Sequence, residues 1–133
     1  MSDDKEIENF TKYGHLSLRR SVVSHLKTLG IEADVNNVLI SPGNIQLLYP
    51  LYESLMTAGS NFIYERANLI STISNIHSIG MNMIGVPLDD YGISVKHLQN
   101  ELVKYKHPVL HVDPTDHAPT GAVMTKKRKE ELM

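Results

Sequence analysis

Short apolar runs of strand type alternate with amphipathic stretches of about ten residues along almost the whole chain, and this alternation most constrains the fold. Strand-like segments are expected at 38–40, 61–65, 81–86 and 108–112. Between them, helical spacing is read over 16–29, 45–56, 69–79 and 95–105, with a last amphipathic stretch at 126–133. Strands that each hand over to a helix make parallel pairs, because the crossover needs the length that a helix supplies. The fold class expected is therefore α/β, with mainly parallel strands alternating with helices.

The punctuation agrees. Leu18, Val22, Val23, Leu26 and Leu29 recur at three- and four-residue steps, with Arg19, Arg20, Ser24 and Lys27 read as the outer face. Gly30 follows as a left-handed terminator. Pro50 falls inside the second helix, where a kink is expected. Ser94 stands where an N-cap would stand before 95–105. Residues 1–13 are polar and read as a flexible lead-in, leaving 14–133 as the domain. No C-terminal stop signal follows 126–133, so the chain is expected to be part of a longer protein.

Composition excludes several function classes. Thirteen Lys and Arg against fifteen Asp and Glu give a formal charge of -2, so no global basic field is present to hold nucleic acid. With no cysteine there is no disulfide scaffold, thiolate zinc site or cysteine nucleophile. No apolar run approaches the roughly 18–20 residues that cross a bilayer, and the acidic N-terminus is unlike a signal peptide. A cytoplasmic protein without membrane contact is expected.

Two segments are candidate sites. Ser41-Pro42-Gly43-Asn44-Ile45-Gln46 runs from a strand through a glycine turn into a helix start, where unsatisfied amides and the helix dipole favour an anion. The competing reading is a plain connection. Asp113-Pro114-Thr115-Asp116-His117-Ala118-Pro119-Thr120-Gly121 follows a strand, at the edge where open α/β sheets bind ligands. The competing reading there is a rigid polar turn. His107, His111, Asp113 and His117 are close in sequence, but Pro108 and the β-rich run after it break any helical i, i+4 pair, and no metal site is expected. Lys126-Lys127-Arg128-Lys129, followed by Glu130-Glu131, reads as a solvated helix face.

The order of these pieces carries a resemblance. Gly14-His15-Leu16-Ser17-Leu18-Arg19, then Leu29-Gly30-Ile31, resembles the "G-x-x-x-L-R … R-G-I" opening of class I/II aminotransferase-like domains. Residues 39–48 resemble their "I-T-x-G-x-x-Q-A-L" phosphate turn, and 59–65 their "G-D-x-V-x-x-E-x-P-x-Y" strand. Val86-Pro87-Leu88-Asp89-Asp90-Tyr91-Gly92-Ile93 resembles "V-P-x-D-E-x-G-I". Residues 119–132 resemble "P-T-G-x-x-M-S-x-x-R-R-x-x-L-L". The Met124-Thr125 pair with Arg128 is most similar to the MocR branch of GntR-family transcription regulators.

The resemblance implies a partial three-layer fold-type-I large domain that binds pyridoxal phosphate (PLP). It further implies a homo-oligomer, a small amino-acid-like effector, and DNA contact only through an upstream domain missing from this chain. An aminotransferase acting on an amino acid is the alternative. The regions holding the Schiff-base lysine and the Asp facing the pyridine nitrogen are not in this chain, so no catalytic residue is expected. The carry-over to cofactor-binding positions falls on Gly43, Asn44, Ile45, Leu69 and His117. Leu69 stands in the slot of the stacking aromatic. In the pattern "T-P-x-H-Q-x-P-T-G", Asp113 takes the threonine slot, Asp116 the histidine slot and His117 the glutamine slot.

Overall fold

The structure, a computed structural model, describes residues 10–57 and 59–133. The chain forms two compact units, Met1–Leu47 and Leu48–Met133.

In the first unit, β1 (Phe10–Thr11) pairs antiparallel with β2 (Gly14–His15), so residues 10–13 enter a hairpin. The rest of the expected lead-in lies outside the described residues. Helix α1 covers Leu16–Thr28. Its end is a Schellman motif: Gly30, at φ 75°, donates to Lys27 O at 3.1 Å and Ile31 donates to Leu26 O at 3.0 Å. The expected facing of this helix needs correction. Arg19, read as an outer residue, is 4% exposed, whereas Leu18 and Leu29 are 48% and 62% exposed.

The reason lies in the next segment. Residues 38–40 form no strand ladder; they follow a 3-10 turn, Val35–Asn37, closed by reciprocal bonds between Asp34 and the Asn36 and Asn37 positions. Carbonyls without ladder partners need other donors. Arg19 supplies them, its Nε donating to Val38 O at 2.8 Å and its Nη2 to Val35 O at 2.5 Å. Ile40 in turn donates to Tyr13 O at 2.9 Å. Gly14 sits against Ile40 at φ 97°, where an added Cβ would lie 2.6 Å from Ile40 Cβ.

Helix α2, Asn44–Leu55, spans both units and contains Pro50. The second unit holds a parallel sheet of three strands, β3 (Asn61–Glu65), β4 (Asn82–Val86) and β7 (Val109–His111), in the order β4-β3-β7. Between β4 and β7 come the two-residue strands β5 (Leu88–Asp89) and β6 (Gly92–Ile93), paired as a hairpin where a polar turn is expected. Helices α3 (Ile70–Ser78), α4 (Val95–Leu102) and α5 (Lys126–Leu132) complete the chain.

The central strand β3 is covered on both sides, as parallel strands are. Successive residues face opposite ways. Phe62 packs with Tyr52 of α2, Met56, Ile76 of α3 and Met81, while Ile63 packs with Val86, Ile93, Leu98 of α4 and Met124. Helix, sheet and helix therefore form three layers. Ser94 does occupy the N-cap position of α4, but its Oγ pairs with His97 Nδ1 at 2.9 Å instead of capping a backbone amide. At α5 it is Thr125 that caps, accepting from the Arg128 amide at 3.1 Å.

Candidate functional site at the carboxyl edge of the sheet

All three parallel strands end on the same edge, with Glu65 closing β3, Val86 closing β4 and Asp113 two residues beyond β7. A cleft of about 670 Å³ opens there, lined among others by Arg66, Ala67, Pro87, Leu88, Thr120 and Gly121.

Glu65 ties the edge together from a fully buried position. Its Oε1 accepts the Ile93 amide at 3.1 Å and its Oε2 the Asp113 amide at 2.8 Å. Burial pushes its carboxyl above the usual carboxylate range, against the two amides and the His117 imidazole, which favour the charged form. His117 is 1% exposed, with Nδ1 2.8 Å from Thr120 Oγ1 and Nε2 3.4 Å from Glu65 Oε2. The Nε2 contact is close enough for Coulombic attraction but misaligned for a hydrogen bond, so this nitrogen has no hydrogen-bond partner among the described residues. The backbone of the same loop is self-bonded: His117 N donates to Ala122 O at 3.0 Å, Gly121 N to His117 O at 2.6 Å, and Met124 N to Pro114 O at 3.1 Å.

A second polar pair lies alongside. The Tyr52 hydroxyl is 2.6 Å from His111 Nδ1, and His111 Nε2 is 3.8 Å from Asp113 Oδ1. Burial, then the negative Asp113, raises the Tyr52 phenol above its ordinary value. The basic run at 126–129 is not wholly a solvated face. Arg128 is drawn in, donating to both oxygens of Asp89 at 3.2 and 2.9 Å and to Ile93 O at 2.5 Å. That guanidinium holds the Asp89 carboxyl below its usual range.

The expected cofactor positions fall as follows. In the first unit, Gly43 O accepts from Ser41 Oγ at 2.6 Å, and the Ile45 amide is taken by Asn44 Oδ1 at 2.8 Å. One amide of the anion turn is thus satisfied by its own neighbour. In the second unit, Leu69 is 46% exposed at the N-cap of α3, and offers no ring face. His117 is turned into the protein, while Asp116 is exposed at φ 54°. The partnership of Glu65, Asp113 and His117 could not be read from spacing, since Glu65 is 48 residues from Asp113. The available signal was an acidic residue closing the run Phe62-Ile63-Tyr64.

No protein-family model matches the chain. It is 30% identical over 120 residues to the HTH-type transcriptional regulator YdfD of Bacillus subtilis, a match covering 90% of this chain and 25% of that protein. Among solved structures it is similar to an archaeal alanine:glyoxylate aminotransferase, with a TM-score of 0.86 and 25% identity over 97% of this chain and 34% of that one. It is likewise similar to Pyrococcus horikoshii kynurenine aminotransferase, with a TM-score of 0.85 and 25% identity over 98% and 34% of the two chains. The chain thus has the α/β fold of part of the aminotransferase-like domain of fold type I, and is similar in sequence to HTH-type transcriptional regulators. It spans about a quarter of the length of the regulator and a third of each enzyme.

Proposed function

We propose that this chain is the first part of the PLP-binding effector and dimerisation domain of a MocR-type transcription regulator, without catalytic activity of its own. The observation carrying this reading is the 30% identity over 120 residues to a regulator, sustained across 90% of the chain. DNA contact would belong to a separate upstream domain, consistent with a chain of formal charge -2. A small amino-acid-like effector is the ligand class that such a domain would take, and a second copy its natural partner.

The residues present fit PLP only in part. The turn at Gly43-Asn44-Ile45 suits a phosphate, although the Ile45 amide is already occupied. Leu69 cannot stack on a pyridine ring, and His117 points away from solvent, so its place in this reading is to anchor the loop 113–121. PLP, where bound, acts as an electron sink for amino-acid chemistry. No step of that chemistry can be assigned to residues of this chain.

Incubating the chain with PLP and an amino-acid donor is expected to give neither transamination nor a stoichiometric visible absorbance band. A stoichiometric band lost on changing one lysine would overturn the non-catalytic reading. The structural similarity to the alanine:glyoxylate aminotransferase favours the second reading, a part of an aminotransferase acting on an amino acid. The flanking reading frame separates them: an upstream helix-turn-helix pattern supports the regulator, and a short N-terminal arm supports the enzyme.

A further inference from the structure

We propose that Glu65, Asp113 and His117 form a binding site for a borderline divalent cation of the zinc class at the carboxyl edge of the sheet. One donor atom from each residue lies within 4.8 Å of the other two. The separation of 3.4 Å between His117 Nε2 and Glu65 Oε2 matches the donor-to-donor edge of about 3.3 Å that tetrahedral bonds of roughly 2.0–2.1 Å produce.

The second, independent observation is the imidazole itself. A fully buried ring nitrogen without a hydrogen bond among the described residues is costly, and it lies 3.4 Å from Glu65 Oε2 with its lone pair free of any bond to that oxygen. The other nitrogen is already held. Thr120 Oγ1 accepts the Ala122 amide at 3.2 Å and keeps a lone pair for an Nδ1–H at 2.8 Å. That tautomer leaves the Nε2 lone pair free, which is how metal-binding histidines are oriented.

Of the carboxylates, Glu65 is fixed and Asp113 has a histidine beside it. Two backbone amides hold Glu65, and His111 lies 3.8 Å from Asp113. No Lys or Arg forms an ion pair with either carboxylate among the described residues; the basic groups beside them are the imidazoles of His111 and His117, so no fixed cation competes for the site. The Asp113 side chain is 39% exposed, which leaves a solvent side for the remaining positions of the coordination shell. Both ligands contributed by the loop are departures from the motif it resembles, Asp113 in a threonine slot and His117 in a glutamine slot. One imidazole with two carboxylates selects zinc, cobalt or manganese over magnesium or calcium.

The test is titration of the EDTA-treated chain with Co2+, followed by competition with Zn2+, read by visible absorbance, calorimetry and thermal melting. One equivalent of Co2+ per chain, displaced by Zn2+, is the result expected, with melting temperature rising on loading. His117→Gln, which restores the amide of the motif, and Asp113→Asn, at the solvent side, are each expected to weaken Co2+ binding at least tenfold. His25→Gln, on the exposed face of α1, is expected to leave it unchanged. Far-UV circular dichroism checks that each variant folds, and Asp113→Asn keeps the test decisive if the buried His117 variant does not. The proposal is overturned by absence of stoichiometric binding at tens of micromolar, or by affinities unchanged in both His117→Gln and Asp113→Asn.

Discussion

Arg19 and Gly14 hold together a segment that has no ladder of its own. Changing Arg19 to alanine removes donors from the Val35 and Val38 carbonyls in a site that is 4% exposed. Hydrogen bonds to a charged group are worth about 1.5–3 kcal/mol, and a loss of that order is expected as a lower denaturant midpoint with unchanged slope. Lysine is expected to recover little, because a point charge cannot reach two carbonyls as the fork does. Gly14→Ala is expected to cost more than about 1 kcal/mol, since φ 97° disfavours any L side chain and Ile40 leaves the new methyl no room. A midpoint equal to the parent's would refute either argument. Neither role could be read from the residue alone. Helical periodicity placed Arg19 with the polar face, and only the missing ladder at 38–40 explains why a guanidinium is buried there.

Among the elements, β3, β4 and β7 and all five helices follow from periodicity to within a few residues, because a strand buried on both faces and an amphipathic helix each leave a pattern in the chain. What periodicity missed are contacts between elements far apart in sequence. Glu65 meets Asp113 and His117 across 48 and 52 positions, and Arg128 meets Asp89 across 39. The phosphate turn and the loop 113–121 were visible as segments, but the inward turn of His117 was not, since it depends on which strand end lies beside the loop.

The Asp89–Arg128 contact gives these elements a pH dependence of definite sign. The folded carboxyl titrates below its unfolded value, so the folded state binds fewer protons near that value and stability rises with pH. The contribution is complete above the ordinary carboxylate range and disappears as pH falls through the depressed folded value. Half-exposure of Asp89 limits it to at most about 1 kcal/mol. The midpoint gap between the parent and Asp89→Asn is expected at pH 7, should begin to shrink as pH falls below the ordinary carboxylate value of about 3.9, and closes only below the depressed folded value, where both carry a neutral side chain. A gap that is constant with pH would assign the effect to packing instead. In the centre of the sheet, Ile63→Ala removes a fully buried side chain and is expected to cost about 2–5 kcal/mol.

At the scale of the whole molecule, the parallel sheet is unusually narrow for this fold class. Among the described residues its order β4-β3-β7 leaves β4 and β7 as edges, and an edge strand presents a row of backbone groups ready to pair with another chain. Large apolar side chains are exposed as well, with Ile70 at 82%, Val103 at 86% and Leu55 at 62%. A formal charge of -2 offers little repulsion between copies. Self-association is therefore expected, with the weight-average mass in sedimentation rising above that of one chain at tens of micromolar. Apolar and backbone contacts should make this association nearly insensitive to 0.5 M salt, whereas charge-driven association would fall steeply. A monomer that stays monomeric over that range would show that the edges and apolar side chains are covered within a single chain.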